Sequence, residues 1–200
     1  MYRDPFENPS YVTAEIYESP KEIPDMSFAV NNPGRGGEWL AKLKADGAHQ
    51  IDTYKEVPIY SSGNYIYTEQ DGALTYFVKW EDRPMPGKRG KYVTQIAIER
   101  SPSRGEIGLV SYVFWNHLLK MHGAIMTDNA QTRLGKQFWG RQVHRAFVEN
   151  HTYVYYVDLS DNSYSRLNDI GEYEKAMERA YGKDNQHRQR RILITNYPLE

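Results

Sequence analysis

The run Tyr92-Val-Thr-Gln-Ile-Ala-Ile-Glu-Arg100 is followed by Ser101-Pro-Ser-Arg-Gly-Glu-Ile-Gly108 and then by Leu109-Val-Ser-Tyr-Val-Phe-Trp-Asn-His-Leu-Leu-Lys-Met121. These three pieces read as strand, tight loop and helix. Gly123-Ala-Ile-Met-Thr-Asp128 then reads as a short buried strand, and Asn129-Ala-Gln-Thr132 as a polar turn. A second helix is expected from Arg133 to Phe147, and a strand over Thr152-Tyr-Val-Tyr-Tyr-Val-Asp-Leu159. A helix between two strands predicts a right-handed crossover and a parallel strand pair. The glycine-containing loop leaves backbone N–H groups unpaired at the helix start, which suits a phosphate. The segment Tyr92–Arg145 carries seven Lys/Arg against three Asp/Glu, which also favours an anionic ligand.

Upstream, Tyr65–Gln70 and Ala73–Trp80 flank Asp71-Gly72, a two-residue hairpin signal. A longer turn, Arg83–Gly90, leads to the strand at Tyr92, so three antiparallel strands feed the crossover. Ile51–Tyr60 reads as one further strand, and Glu38–Ala45 as a short amphipathic helix stopped by Gly47. Residues 1–36 hold five prolines and read as an N-terminal arm with short strands at Tyr11–Tyr17 and Met26–Val30. The arm packs on another subunit or forms peripheral strands of one domain over residues 37–200. Asn31–Gly37 reads as a turn or linker. Downstream, Ser160–Ser163 reads as a loop, Ile170–Tyr181 as a helix, and Arg191–Thr195 as a last strand antiparallel to Thr152–Leu159. The fold class expected is α/β (α+β), a mixed sheet with an antiparallel meander, a parallel crossover and helices on both faces.

Composition narrows the chemistry. The net charge of −1 supplies no global field toward nucleic acid or membrane. With no cysteine, thiolate nucleophiles and disulfides are excluded. No apolar run reaches membrane-spanning length and the N-terminus has no stretch of signal-peptide type; the expected location is cytoplasmic, the simpler reading of a chain without cysteine. The 17 tyrosines favour half-buried strands or an interaction face. His117, His122 and His144 lack zinc-ligand spacing and read as surface or helix-packing residues. The basic run Lys183–Arg191 reads as a solvated loop, with a phosphate or nucleic-acid contact as the lesser reading.

With these residues, the order of elements resembles the GCN5-related N-acetyltransferase family in its divergent phage form. The likeness covers about Tyr65 to Leu159 plus the last strand. It implies acetyl-coenzyme A as cofactor, no metal, and an amine acceptor: a small molecule, a protein lysine or a modified base. The stretch Ser103-Arg-Gly-Glu-Ile-Gly108 is similar to the family's pyrophosphate loop, with Glu106 where the common form has glycine. The resemblance thus assigns the loop backbone at Arg104, Gly105, Ile107, Gly108 and Leu109 to the pyrophosphate, and the amide at Ile98 or Glu99 to the acetyl carbonyl. The stretch Thr132-x-x-Gly135-x-x-x-Trp139 resembles the segment that carries the family's tyrosine acid, and places Asn129 and Thr132 at the cofactor. Trp139 has no usable acid. Tyr155 or Tyr156, or water, would then protonate the leaving thiolate. Glu99, Asp82 and Asp128 are the candidates for the base; Asp128 also suits an N-cap. The alternative is a catalytically silent viral or virion protein of this fold that works through protein contacts and self-association, in the host cytoplasm or the particle.

Overall fold

The computed structural model describes residues 30, 33–85, 92–101, 106–127, 133–180 and 189–199. Most of the arm, Arg104, Gly105, Asp128, Asn129, Thr132 and the run 183–188 lie outside the described residues. The strands are β1 (His49–Tyr54), β2 (Val57–Ser62), β3 (Tyr65–Gln70), β4 (Ala73–Pro84), β5 (Tyr92–Arg100), β6 (Ala124–Met126), β7 (Tyr153–Asp158), β8 (Ser163–Leu167) and β9 (Arg190–Thr195). The helices are α1 (Pro33–Ala45), α2 (Leu109–Val113), α3 (Leu119–His122), α4 (Arg133–Val148) and α5 (Ile170–Ala180). A π-helical turn, Phe114–Leu118, makes α2 and α3 one continuous rod.

The strands form one mixed sheet in the order β1-β2-β3-β4-β5-β6-β9-β7-β8. Its only parallel pair among the described residues is β5 with β6, joined at Thr94↔Ile125 and Gln95↔Met126. The antiparallel meander has five strands rather than three. Ile51–Tyr60 is a hairpin, turning at Lys55 and Glu56 with φ of 47° and 69°. Such turns normally recruit Asn or Gly at both central positions, so Lys-Glu gives no turn signal. The expected pairing of the last strand with β7 is present, but β9 lies inside the sheet, between β6 and β7. The edge is instead β8, which follows the Ser160–Ser163 turn; its residues are mostly exposed and polar, so it lacks the apolar alternation of a strand. The glycine-rich Pro33–Gly37 is the first part of α1, not linker, and the helix crosses the expected boundary at residue 36. Proline tolerates a first helical turn, where its missing N–H has no role.

Helices cover both faces. On one, the α2–α3 rod, α4 and α5 bury Leu109, Val113, Phe114, Phe138, Trp139, Val143, Tyr173 and Met177 against Ile66, Val78, Ile96, Ile125 and Ile192. On the other, Leu40 and Leu43 of α1 meet Tyr67, Leu74 and Phe77. The centre of the larger core is aromatic. Phe114 makes edge contacts with Trp115, Phe138 and Trp139 at centroid distances of 5.5–5.8 Å. Trp115 Nε1 donates to Gln142 Oε1 at 2.7 Å, and Gln142 Nε2 donates to Ser111 Oγ, which ties α2 to α4. No helix among the described residues is long and apolar enough to cross a membrane.

Phe114→Ala removes the ring on which these three contacts converge. The expected loss is about 3–5 kcal/mol of unfolding free energy, measured from urea unfolding of the two chains.

Candidate functional site

Beyond Gln95, the described part of β5 continues past β6. Ile96 to Glu99 pair with β4 and not with β6. Ile98 turns to the larger core, and Glu99 turns to the opposite face, beside Phe77 in register. Glu99 is half-buried there, with the Val30 backbone N–H donating to its carboxylate. Burial outweighs that bond and pushes the Glu99 pKa up to about 8.

The loop leading to α2 is held by the tip of the β1–β2 hairpin. Tyr54 Oη donates to the Ile107 carbonyl at 3.2 Å, and Lys55 Nζ donates to it at 3.3 Å. Lys55, in the turn between β1 and β2, also pairs with Glu106 at 3.2 Å, so this carboxylate meets a cation from a distant part of the chain. Gly108 has φ of 84°, and a Cβ there would lie 2.6 Å from Tyr54 Oη, so both conformation and contact call for glycine. The Leu109 side chain is fully buried, and its N–H donates to the Glu106 carbonyl at 3.3 Å.

Next to this loop sits a cluster that sequence reasoning missed. Asp52 Oδ2 accepts Tyr112 Oη at 2.7 Å and lies 2.9 Å from His117 Nε2; Oδ1 accepts the Thr53 N–H at 2.7 Å. These bonds, Tyr112's foremost, hold the Asp52 carboxyl below its ordinary range, and the same bond raises the Tyr112 phenol. Neither neighbour was legible from spacing. A β-bulge between Gln50 and Asp52 turns Asp52 toward the helices. Tyr112 and His117 stand five apart, which an α-helix would rotate off one face; the π-helical turn realigns them.

The other expected residues are dispersed. Asp82 is in register with Thr94, whose hydroxyl donates to it at 3.0 Å. That places it five residues, about 17 Å, along the strands from Glu99. Tyr155 is buried on β7, three strand spacings or about 14 Å from β5, with its hydroxyl accepting the Leu199 N–H. Trp139 is enclosed in the aromatic core. Ile107, Gly108 and Leu109 are contiguous with the Lys55–Glu106 contact. Among the described residues, no three His, Asp or Glu side chains are grouped as a metal ion would need.

The raised pKa of Glu99 has a thermodynamic sign. The unfolded carboxyl ionises near 4.5 and the folded one near 8, so Glu99 favours folding below pH 4.5 and this contribution is lost as pH rises to about 8. Glu99→Gln is expected to flatten the fall in stability between about pH 5 and about pH 8, read from urea midpoints across that range. An equal fall in both chains contradicts the burial argument. No protein-family model, no curated protein and no solved structure matches this chain.

Proposed function

We propose that this protein is an acyl-coenzyme A-dependent N-acetyltransferase in which Glu99 is the general base. The observation that carries the proposal is β5 itself: it continues past its two-pair ladder with β6 and bears, near its end, a half-buried carboxylate with a pKa near 8. The ionised form is the base, so a pKa near 8 makes Glu99 a stronger proton acceptor than an ordinary carboxylate and brings it into action as pH passes through about 8. The loop before α2 supports the cofactor part of the reading. Gly108 gives the left-handed turn into the helix, and Lys55 cancels the charge of Glu106. Acetyl-coenzyme A, when bound, supplies the acyl group as a thioester. Loop N–H groups other than that of Leu109, which is bonded to the Glu106 carbonyl, would hold its phosphates, and Glu99 would remove the acceptor's proton so that the amine lone pair can attack the carbonyl carbon. The carbon–sulfur bond breaks, and the proton on Glu99 or one from solvent leaves with the thiolate. The acceptor class stays open among small amines, protein lysines and modified bases.

One observation favours the second reading, a silent binding or structural protein of the same architecture. Trp139, where the resemblance puts the acid, is a packed core residue with its ring against Phe114 and Phe138.

Calorimetric titration with acetyl-coenzyme A, together with thiol release in the presence of a panel of amines, separates the two. The expected outcome is millimolar or tighter binding, and turnover that rises as pH passes through about 8. Glu99→Gln should lower kcat by about 10²–10⁴-fold with the cofactor Kd unchanged. Absence of binding at millimolar cofactor rejects the transferase.

A further inference from the structure

We propose that His122 is a proton-operated latch: neutral, it holds the end of α3 against Trp80 of β4, and protonated, it leaves Trp80 for the Asp82 carboxylate. The latch is independent of the acyltransferase reading. It lies on the helix-covered face of the sheet beside Thr94, whereas Glu99 faces the α1 side, five residues along β5.

His122 closes α3, and Gly123 turns the chain from it into β6 with φ of 73°. The imidazole lies edge-on to the Trp80 ring, with the centroids 5.3 Å apart. Its Nε2 is shut off from solvent and has no hydrogen-bond partner. A lone pair tolerates that position better than an N–H does, so the neutral ring carries its hydrogen on Nδ1. Protonation would add a charged donor at Nε2 with neither water nor an acceptor to receive it, and a buried group of that kind is among the costliest in a fold. Burial accordingly holds the His122 pKa below its ordinary value of 6.5, with the Asp82 charge opposing it in part.

The acceptor for a protonated ring is already in place. Asp82 follows Trp80 by two residues on the same face of β4, about 7 Å along the strand. Thr94 Oγ1 donates to its Oδ1 at 3.0 Å, and an ionised carboxylate takes further donors. Among the described residues, Asp82 is the one charged group that acts on the His122 ring. Lys79, Glu81 and Arg83 alternate to the opposite face of β4 and pair with one another there. In α3, Lys120 is turned to Asn116. Beyond β9, Tyr197 stands against Gly123, and burial keeps its phenol protonated. The indole of Trp80 attracts a cation weakly, but it gives the new N–H no acceptor.

The latch borders the two-pair seam of the sheet. Trp80 is in register with Ile96, next to the ladder of β5 with β6, and His122 leads through Gly123 into β6 itself. Protonation therefore frees the end of the rod from the meander beside that ladder. Acid loosens the seam while the longer antiparallel ladders stay paired.

The test is a pH titration of the full chain labelled with ¹⁵N in histidine and tryptophan, followed by NMR from about pH 8 to about pH 4. The expected result is a His122 midpoint below 6.5. The Trp80 indole resonance, assigned through Trp80→Phe, moves at the same midpoint while the far-ultraviolet circular dichroism holds. Protection of the Ile125 and Met126 amides should fall by about tenfold or more across that midpoint, and should not fall in His122→Gln. Asp82→Asn should move the midpoint to lower pH, because it removes the charge that favours the imidazolium. If His122→Gln does not fold, coincidence of the His122 and Trp80 titrations in the unaltered chain decides. A His122 midpoint at or above 6.5, a Trp80 resonance that does not follow it, or loss of the dichroism at the same pH overturns the latch.

Discussion

Two residue pairs, Thr94 with Ile125 and Gln95 with Met126, carry the described pairing between the meander and the β6-β9-β7-β8 half of the sheet. So short a seam cannot align two half-sheets by backbone bonding alone. The alignment comes from the helical layer, whose buried side chains touch both sides. Phe114, Trp115, Leu118 and Trp139 belong to the same core as Val78 and Ile96 on one side and Ile125, Ile192 and Val154 on the other. Apolar burial is non-directional, so it holds the halves together without dictating how far their strands must pair. That freedom lets β5 continue past β6 and keep a carboxylate half-buried near its end.

The same division of labour explains the loop before α2. Glu106 stands just before the start of α2, and its ion-pair partner comes from the tip of the distant β1–β2 hairpin. Lys55 and Tyr54 reach the loop because the β1–β2 turn adopts positive φ at two non-glycine residues. Backbone strain of this kind persists where surrounding contacts over-determine it, and here the Glu106 and Ile107 contacts do so.

Sequence pattern carried the elements whose signals are local. Asp71-Gly72 marks its hairpin because those residues take φ of 53° and 73° cheaply. The βαβ order from Tyr92 to Met126 is equally plain, since helical and strand periods differ sharply there. Lys55-Glu56 and β8 were hidden: one turn is stabilised by distant contacts, and the edge strand has no apolar face. At the site, the position of Glu99 was legible but its burial was not, because Phe77 and Val30 come from other segments. The Asp52–Tyr112–His117 cluster was beyond reach. It depends on one bulge and one wide helical turn, and both shift the register that any periodic reading assumes.

The interior location of β9 has a consequence for assembly. Its neighbours β6 and β7 precede it in the chain, and each must wait for it with an unsatisfied row of peptide groups. During synthesis the meander can settle as soon as β5 emerges, since its pairings join neighbours in sequence. The other half stays ajar until Arg190–Thr195 threads in as a wedge between two waiting strands. That interval is when bare strand edges are most open to a wrong partner. Arg190 and Arg191 at its leading end put charge on the strand that must find this slot.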